Sequence, residues 1–264
     1  LRHLEERARQ WDKHGQTMQR LNFSEIAQLL GTEAYVGGII DLRGGNIHPL
    51  NYALGLADAA LAEGAQIYGH SKVETLTSAN QLHKLTTQHG CVCTKRILVC
   101  TNGYSDDLIP GLRQSVVPIR SIQVATKPMS DNIRASVLPG LHAPSDTRHL
   151  LLYFRTDAEG RFIMGARGAY SAEATRSCQA EARAVSKQLF PQLGAVEWDY
   201  HWGGYIAATS NNYPQLNDFG NGITAGLGYN GRGVAMATAI GKVLADFAIG
   251  VPVADLDFPV TPLH

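Results

Sequence analysis

Ile223-Thr224-Ala225 reads as a short strand, Gly226-Leu227-Gly228-Tyr229-Asn230-Gly231-Arg232-Gly233 as a glycine-rich turn, and Val234 to Ile249 as a helix. Val234, Ala237, Ile240, Gly241, Leu244 and Ala248 fall on one helical stripe, so this end of the chain must build an α/β layer. The glycines allow close approach to the main chain. The turn also carries unpaired N–H groups and the positive end of the helix dipole, a combination that holds an electron-rich group. Gly226, Gly228 and Gly231 match the G-x-G-x-x-G spacing of a dinucleotide-binding turn, with Asp246 further on. In that fingerprint the acid ends a second parallel strand and holds a ribose. Here Asp246 lies inside the helical pattern and Gly250-Val251-Pro252 ends it, so the match does not mark an ADP-ribose site. Two uses of the turn stay open. It closes on an electron-rich ligand, or it packs helix on strand with no ligand.

The rest of the chain supplies pieces of both kinds. Residues 1 to about 30 read as helical, with Leu4, Ala8 and Trp11 on one stripe and a second short turn through Ile26, Leu29 and Leu30 before Gly31. Pro49 opens a helix whose Leu50, Ala53, Leu54, Ala57 and Leu61 share a face; Gly64 ends it, and Ala65-Gln66-Ile67-Tyr68 is expected to be a strand. Leu82 to Thr87 and Cys91 to Cys100 are expected strands around a hairpin at Gln88-His89-Gly90. The apolar run Ile97-Leu98-Val99-Cys100 predicts a strand buried on both faces, breaking at Thr101-Asn102-Gly103. Further strands are predicted from Pro118 to Thr126, from Leu150 to Arg155, from Arg161 to Met164 and through Trp198-Asp199-Tyr200-His201-Trp202. Asp157-Ala158-Glu159-Gly160 supplies a hairpin turn, and Ala172 to Phe190 an amphipathic helix stopped by Pro191. Helix-and-strand pieces at both ends around a β-rich middle point to two interleaved domains of mixed α/β type.

Composition excludes several classes of function. Hydrophobic residues make up 44% of the chain, charged residues 17%, and the formal net charge is zero, which offers no surface for a nucleic acid. No apolar run approaches the roughly twenty residues of a membrane helix, so no membrane partner is expected. The four cysteines are Cys91, Cys93, Cys100 and Cys178. Cys91-x-Cys93 lacks C-x-x-C spacing and no second pair completes a metal set, so no metal is expected. Alternation puts both thiols on one strand face as small hydrophobes in a reduced, cytoplasmic setting. Leu1-Arg2-His3-Leu4-Glu5-Glu6-Arg7 is neither a signal peptide nor a usual start, so the chain is expected to be a fragment or a processed form.

Gly226 to Val234 resembles the closing motif of FAD-dependent amine and amino-acid oxidoreductases of the D-amino-acid oxidase superfamily. Other stretches agree in the same order: Gly45-Asn46-Ile47-His48-Pro49; Leu98 to Tyr104; Val117 to Ser121 with Ala125 to Pro128; and Trp202-Gly203-Gly204-Tyr205-Ile206-Ala207 with Pro214. The chain is similar to the glycine/sarcosine oxidase-like members, and most to the γ-glutamylputrescine oxidoreductase subgroup. The resemblance implies an incomplete FAD-binding, Rossmann-like domain (residues 49–104 and 201–264) interleaved with a β-rich substrate domain (105–200), with a helical lead-in and the start of the substrate domain at 1–48. The N-terminal dinucleotide-binding segment is expected to be missing.

The resemblance also implies roles for individual residues. It places Gly226, Gly228, Tyr229, Asn230, Gly231, Arg232 and Gly233 under the pyrimidine side of the flavin, with Val73, Asn102, Gly103 and Trp202 as further cofactor-binding positions. Arg232 brings positive charge there or is a solvated residue at the helix start; Asn230 is a candidate helix cap. His48, Tyr153 and Arg155 are the candidate substrate-pocket residues. Tyr153 and Arg155 share a strand face by alternation, as a pocket pair for a substrate carboxylate or as a plain surface pair. His48 otherwise supports a helix start, and Trp202 otherwise packs in the core. Some relatives tether flavin through a Cys near Ala207 to Asn212; none stands there, so FAD is expected to be non-covalent. The expected activity is oxidation of an amine or amino acid to an imine, with hydride passing to flavin N5, and no catalytic acid or base is assigned. The alternatives are a non-catalytic structural or interaction module and a flavin enzyme acting on a hydroxy acid.

Overall fold

The computed structural model describes residues 2–148 and 150–261; Leu1, where the expected first helix opens, lies outside them. Along the chain run α1 (Arg2–Asp12), β1 (Gln19–Leu21), α2 (Phe23–Leu30), β2 (Gly38–Ile40), α3 (Pro49–Ala62), β3 (Val73–Ala79), β4 (Leu82–Thr87), β5 (Gly90–Thr94) and β6 (Ile97–Val99). There follow β7 (Val117–Thr126), α4 (Asp131–Arg134), β8 (Tyr153–Thr156), β9 (Phe162–Arg167), α5 (Ala172–Leu189), β10 (Trp198–Ala208), β11 (Gln215–Asp218), β12 (Ile223–Leu227) and α6 (Gly233–Ile249). The chain divides into two compact units, residues 1–48 with 120–204 and residues 49–119 with 205–264.

The first unit is built on a sheet ordered β10-β7-β9-β8, with β1 and β2 as a separate antiparallel pair. Alternation decides which face is apolar: Ile122, Val124, Phe154, Phe162 and Met164 all lie on one side and are buried. Onto them pack Ala182 and Leu189 of α5, together with Phe190 and Leu193. The rings of Phe154 and Phe162 each meet Phe190 edge-on at 5.3 Å between centroids, a favoured aromatic geometry. α5 starts where the Ser171 hydroxyl accepts the Ala174 N–H at 3.1 Å. α2 starts with a capping box between Asn22 and Glu25, and ends at Gly31 in left-handed backbone, φ 74°.

The second unit contains a sheet ordered β11-β12-β6 and a meander β3-β4-β5. β12 runs parallel to β6 and antiparallel to β11. α6 packs on this sheet through Ile240, Val243 and Leu244, which meet Leu216 and Tyr229. His83 of β4 is fully buried; its Nε2 donates to the Asn221 carbonyl at 2.7 Å, and its Nδ1 accepts from Ser78 at 2.7 Å. Those partners select the Nε2–H tautomer and tie the meander to the loop before β12. By contrast α3 buries no residue, and Leu50 and Leu54 are 61% and 54% exposed.

Several expectations change here. The first thirty residues are not one helical region, because β1 interrupts them to pair with β2. Ala65-Gln66-Ile67-Tyr68 is an exposed connection with no place in a ladder, and β3 was not legible at all. The run from Cys91 to Cys100 splits into β5 and β6, and Leu98 is 40% exposed because β6 is an edge strand. Cys91 and Cys93 do share one face, opposite Thr86 and Lys84, but both are exposed and act as no part of a core. No helix among the described residues is long and apolar enough to cross a membrane.

Candidate functional site

The glycine-rich turn between β12 and α6 is held from below by its own side chains. Gly228, Asn230 and Gly231 all take positive φ (79°, 51° and 86°), so the chain reverses within a few residues. The Asn230 amide closes this turn. It donates to the Gly228 carbonyl and, at 3.1 Å, to the Thr209 hydroxyl, while its oxygen accepts the Thr209 N–H at 2.9 Å. Asn230 therefore does not cap α6. The N-cap is Arg232, which makes no side-chain cap bond. The first turn of a seventeen-residue helix thus begins with main-chain donors that its N-cap side chain leaves unbonded.

Each predicted residue of this turn finds a separate place. Gly226 admits α6: a Cβ there would lie 2.8 Å from Leu244 Cδ1 and 2.9 Å from Ile240 Cγ2. Tyr229 points into the core beneath the turn and donates to the Gly226 carbonyl at 3.2 Å; burial, with Cys100 next, pushes its hydroxyl up to about 12. Gly231 and Arg232 are exposed, and Gly233 is the first helical residue. The Gly228 N–H donates to Asn102 Oδ1 at 3.1 Å, which brings Asn102 to this turn from the end of β6. Asn102 itself sits at φ 45°. Gly103 is a close-approach glycine, since a Cβ would lie 2.7 Å from the Tyr205 carbonyl oxygen. Asn102, Gly103, Thr209 and the turn form one cluster, whereas Val73 stands at the start of β3 beside a bulge. Thr209 escaped sequence reasoning, because nothing local marks a threonine that receives an asparagine from a distant turn.

The other predicted residues belong to the first unit. Trp202 lies on β10 with 44% of its surface exposed, so it does not pack in a core. His48 is exposed, immediately before α3. Tyr153 and Arg155 do share a face of β8, the one opposite Phe154. The Tyr153 hydroxyl hydrogen-bonds the Ser121 hydroxyl across the sheet, and burial raises its pKa against the smaller effects of Ser121 and Gln123. Arg155 is half-buried, and burial lowers its pKa, opposed by Asp157 and then Tyr153. Asp157 is committed elsewhere, with Oδ1 taking the N–H groups of Glu159 and Arg161 and Oδ2 lying 3.3 Å from the Arg161 guanidinium. A shallow recess beside this pair is lined by Ala143, Pro144, Ser145, Tyr153, Phe154 and Arg155. A half-buried guanidinium that forms no salt bridge among the described residues, beside an aromatic neighbour, suits a planar anion carrying a hydrocarbon stem.

Comparisons with known proteins identify the family to which this fold belongs. The model of the family described as FAD dependent oxidoreductase (DAO) matches residues 1–247. The chain is 32% identical over 239 residues to a probable oxidoreductase OrdL of Haemophilus influenzae, covering 89% of this chain and 54% of that protein. It is 29% identical over 249 residues to γ-glutamylputrescine oxidoreductase of Escherichia coli, covering 94% and 58%. The fold matches the crystal structure of glycine oxidase from Geobacillus kaustophilus with a TM-score of 0.75 at 19% identity, covering 98% of this chain and 70% of that one. The chain thus spans little more than half the length of the curated relatives it matches. With its mixed α/β fold, its closing glycine turn and a family match over nearly its whole length, the chain belongs to the FAD-dependent oxidoreductases of the DAO family.

Proposed function

We propose that this chain forms part of an enzyme that oxidises an amine or amino acid with a non-covalently held FAD. Bound FAD would supply the acceptor for a hydride leaving the carbon next to nitrogen, giving an imine that water then hydrolyses. The observation that carries the reading is the uncapped start of α6 behind a turn whose glycines leave the main chain open. These residues fit the electron-rich pyrimidine edge of a flavin: amides and a helix dipole oppose negative charge there without reorganising. Asn230 and Asn102 keep those amides in place, and the absence of a Cys from Ala207 to Asn212 supports a non-covalent site.

On the substrate side, Arg155 would bind a carboxylate and Tyr153 would support the hydrocarbon beside it, excluding water from the stem. Such chemistry needs no strong protein base when the amine arrives unprotonated. Arg155→Met is expected to raise KM about 10- to 100-fold for amines bearing a carboxylate, the loss of one charge-assisted hydrogen bond. Amines without a carboxylate should be unaffected, and an equal rise for both kinds would remove Arg155 from the substrate site.

Incubating the purified chain with FAD, removing the excess and recording the visible spectrum tests the cofactor reading. A retained yellow chromophore that amines bleach without oxygen is the expected result. A protein that stays colourless would favour a structural or interaction module, and bleaching by hydroxy acids alone would move the substrate class.

A further inference from the structure

Tyr153 does not stand up from its sheet. It faces Gly165 across the β8–β9 ladder, and Gly165 in turn faces Gln123 on β7. From β8 the ring lies across β9, and its hydroxyl reaches Ser121 on β7. A Cβ at Gly165 would fall onto the ring at Cε2 and Cζ, and 2.6 Å from Cδ2. Gly165 is not among the residues with positive φ, so its backbone suits any amino acid. Space for the ring is the one demand that glycine meets there. The ring is thus confined by an absent side chain beneath it and anchored by a hydroxyl at its far end.

We propose that Gly165 and Ser121 are positioning residues that lay Tyr153 flat on the sheet, making its ring an apolar floor beside the Arg155 guanidinium. This rests on the substrate-side reading above and deepens it. Residues two apart on a strand are separated by about 6.6 Å, so a carboxylate on Arg155 leaves a short methylene stem over the ring. The substrate class this selects is an amine whose carboxylate is joined through such a stem. An upright tyrosine would fill the space the stem needs.

The test compares Gly165→Ala, Ser121→Ala and Ser121→Thr in the FAD-loaded protein, alongside Gly165→Ala in a Tyr153→Ala background. Gly165→Ala should raise KM for carboxylate-bearing amines roughly 10- to 100-fold with kcat nearly unchanged, as expected for a displaced positioning group. Ser121→Ala should do the same more weakly, and Ser121→Thr, which keeps the hydroxyl, should restore the parent value. Two readouts need no turnover. The ring-carbon NMR signal assigned to Tyr153 should shift in Gly165→Ala, and that substitution should lower Tm in the parent but not in Tyr153→Ala, since the clash disappears with the ring. An unmoved ring signal, or an equal loss of Tm in both backgrounds, would overturn the proposed positioning. A moved ring with unchanged KM would overturn its link to the substrate, and a protein inactive toward every amine would sink the proposed activity while the ring signal and Tm still decide the positioning.

Discussion

Gly31→Ala is expected to destabilise the first unit by about 3 kcal/mol or more. Two penalties combine. The residue sits at φ 74°, where an L side chain is strained, and its Cβ would fall onto the Ser136 carbonyl oxygen, 2.9 Å from that carbonyl carbon. Backbone, not a flexible side-chain end, stands in the way. The position is also a junction: the Gly31 N–H donates to Ala27 and closes α2, and Leu138 N–H donates to the Leu30 carbonyl at 3.0 Å. Gln192 Nε2 donates to both the Gly31 and Ser136 carbonyls, at 2.6 and 3.1 Å. Moving Ser136 aside therefore breaks contacts to two other segments. Urea denaturation followed through tryptophan fluorescence should show the transition shifted to lower denaturant. A shift worth less than about 1 kcal/mol would mean that the junction yields more easily than this packing allows.

Asn230→Ala is expected to weaken FAD binding about 10- to 100-fold while leaving the overall fold intact. The side chain satisfies the Gly228 carbonyl and both polar groups of Thr209, and removing it strands part-buried partners at about 1–3 kcal/mol. The backbone at φ 51° adds to the effect, since alanine tolerates left-handed geometry less well than asparagine. Asn230→Asp, which keeps the acceptor for Thr209 N–H but loses the donors, should fall between. Fluorescence titration with FAD measures the affinity, and far-ultraviolet circular dichroism checks the fold. An unchanged affinity in Asn230→Ala would mean that the turn does not hold the cofactor.

Legibility followed the range of the forces involved. α3, α5 and α6 could be read because each carries a helical stripe and a local start or stop: Pro49 for α3, Pro191 for α5, the glycine turn for α6. β8 and β9 showed as two apolar-rich runs around the turn Asp157-Ala158-Glu159-Gly160, and the period of a strand placed Tyr153 and Arg155 on a common face. β1 and β2 are short strands of three residues, too brief to carry a period, and exist because each pairs with the other. Ile97-Leu98-Val99 looked buried on both faces because hydrophobicity reports burial only when a neighbour covers the strand, and β6 is an edge.

The amino-acid sequence by itself determined that a strand turns into a helix at Gly226 to Gly233, because glycines that permit left-handed backbone stand between an apolar strand run and a helical stripe. It also determined that the turn is no ADP-ribose fingerprint, since Asp246 falls within the helix. The tertiary structure alone decided what each residue of the turn does: Gly226 makes room for Leu244 and Ile240, Tyr229 turns inward, and Asn230 braces Thr209 instead of capping α6. It alone joined Asn102 to Gly228 and set Tyr153 over Gly165 against Ser121. Local pattern specifies backbone conformation, which depends on neighbours in the chain. Hydrogen bonds and contacts between side chains far apart in sequence depend on sheet register, which only the folded chain sets.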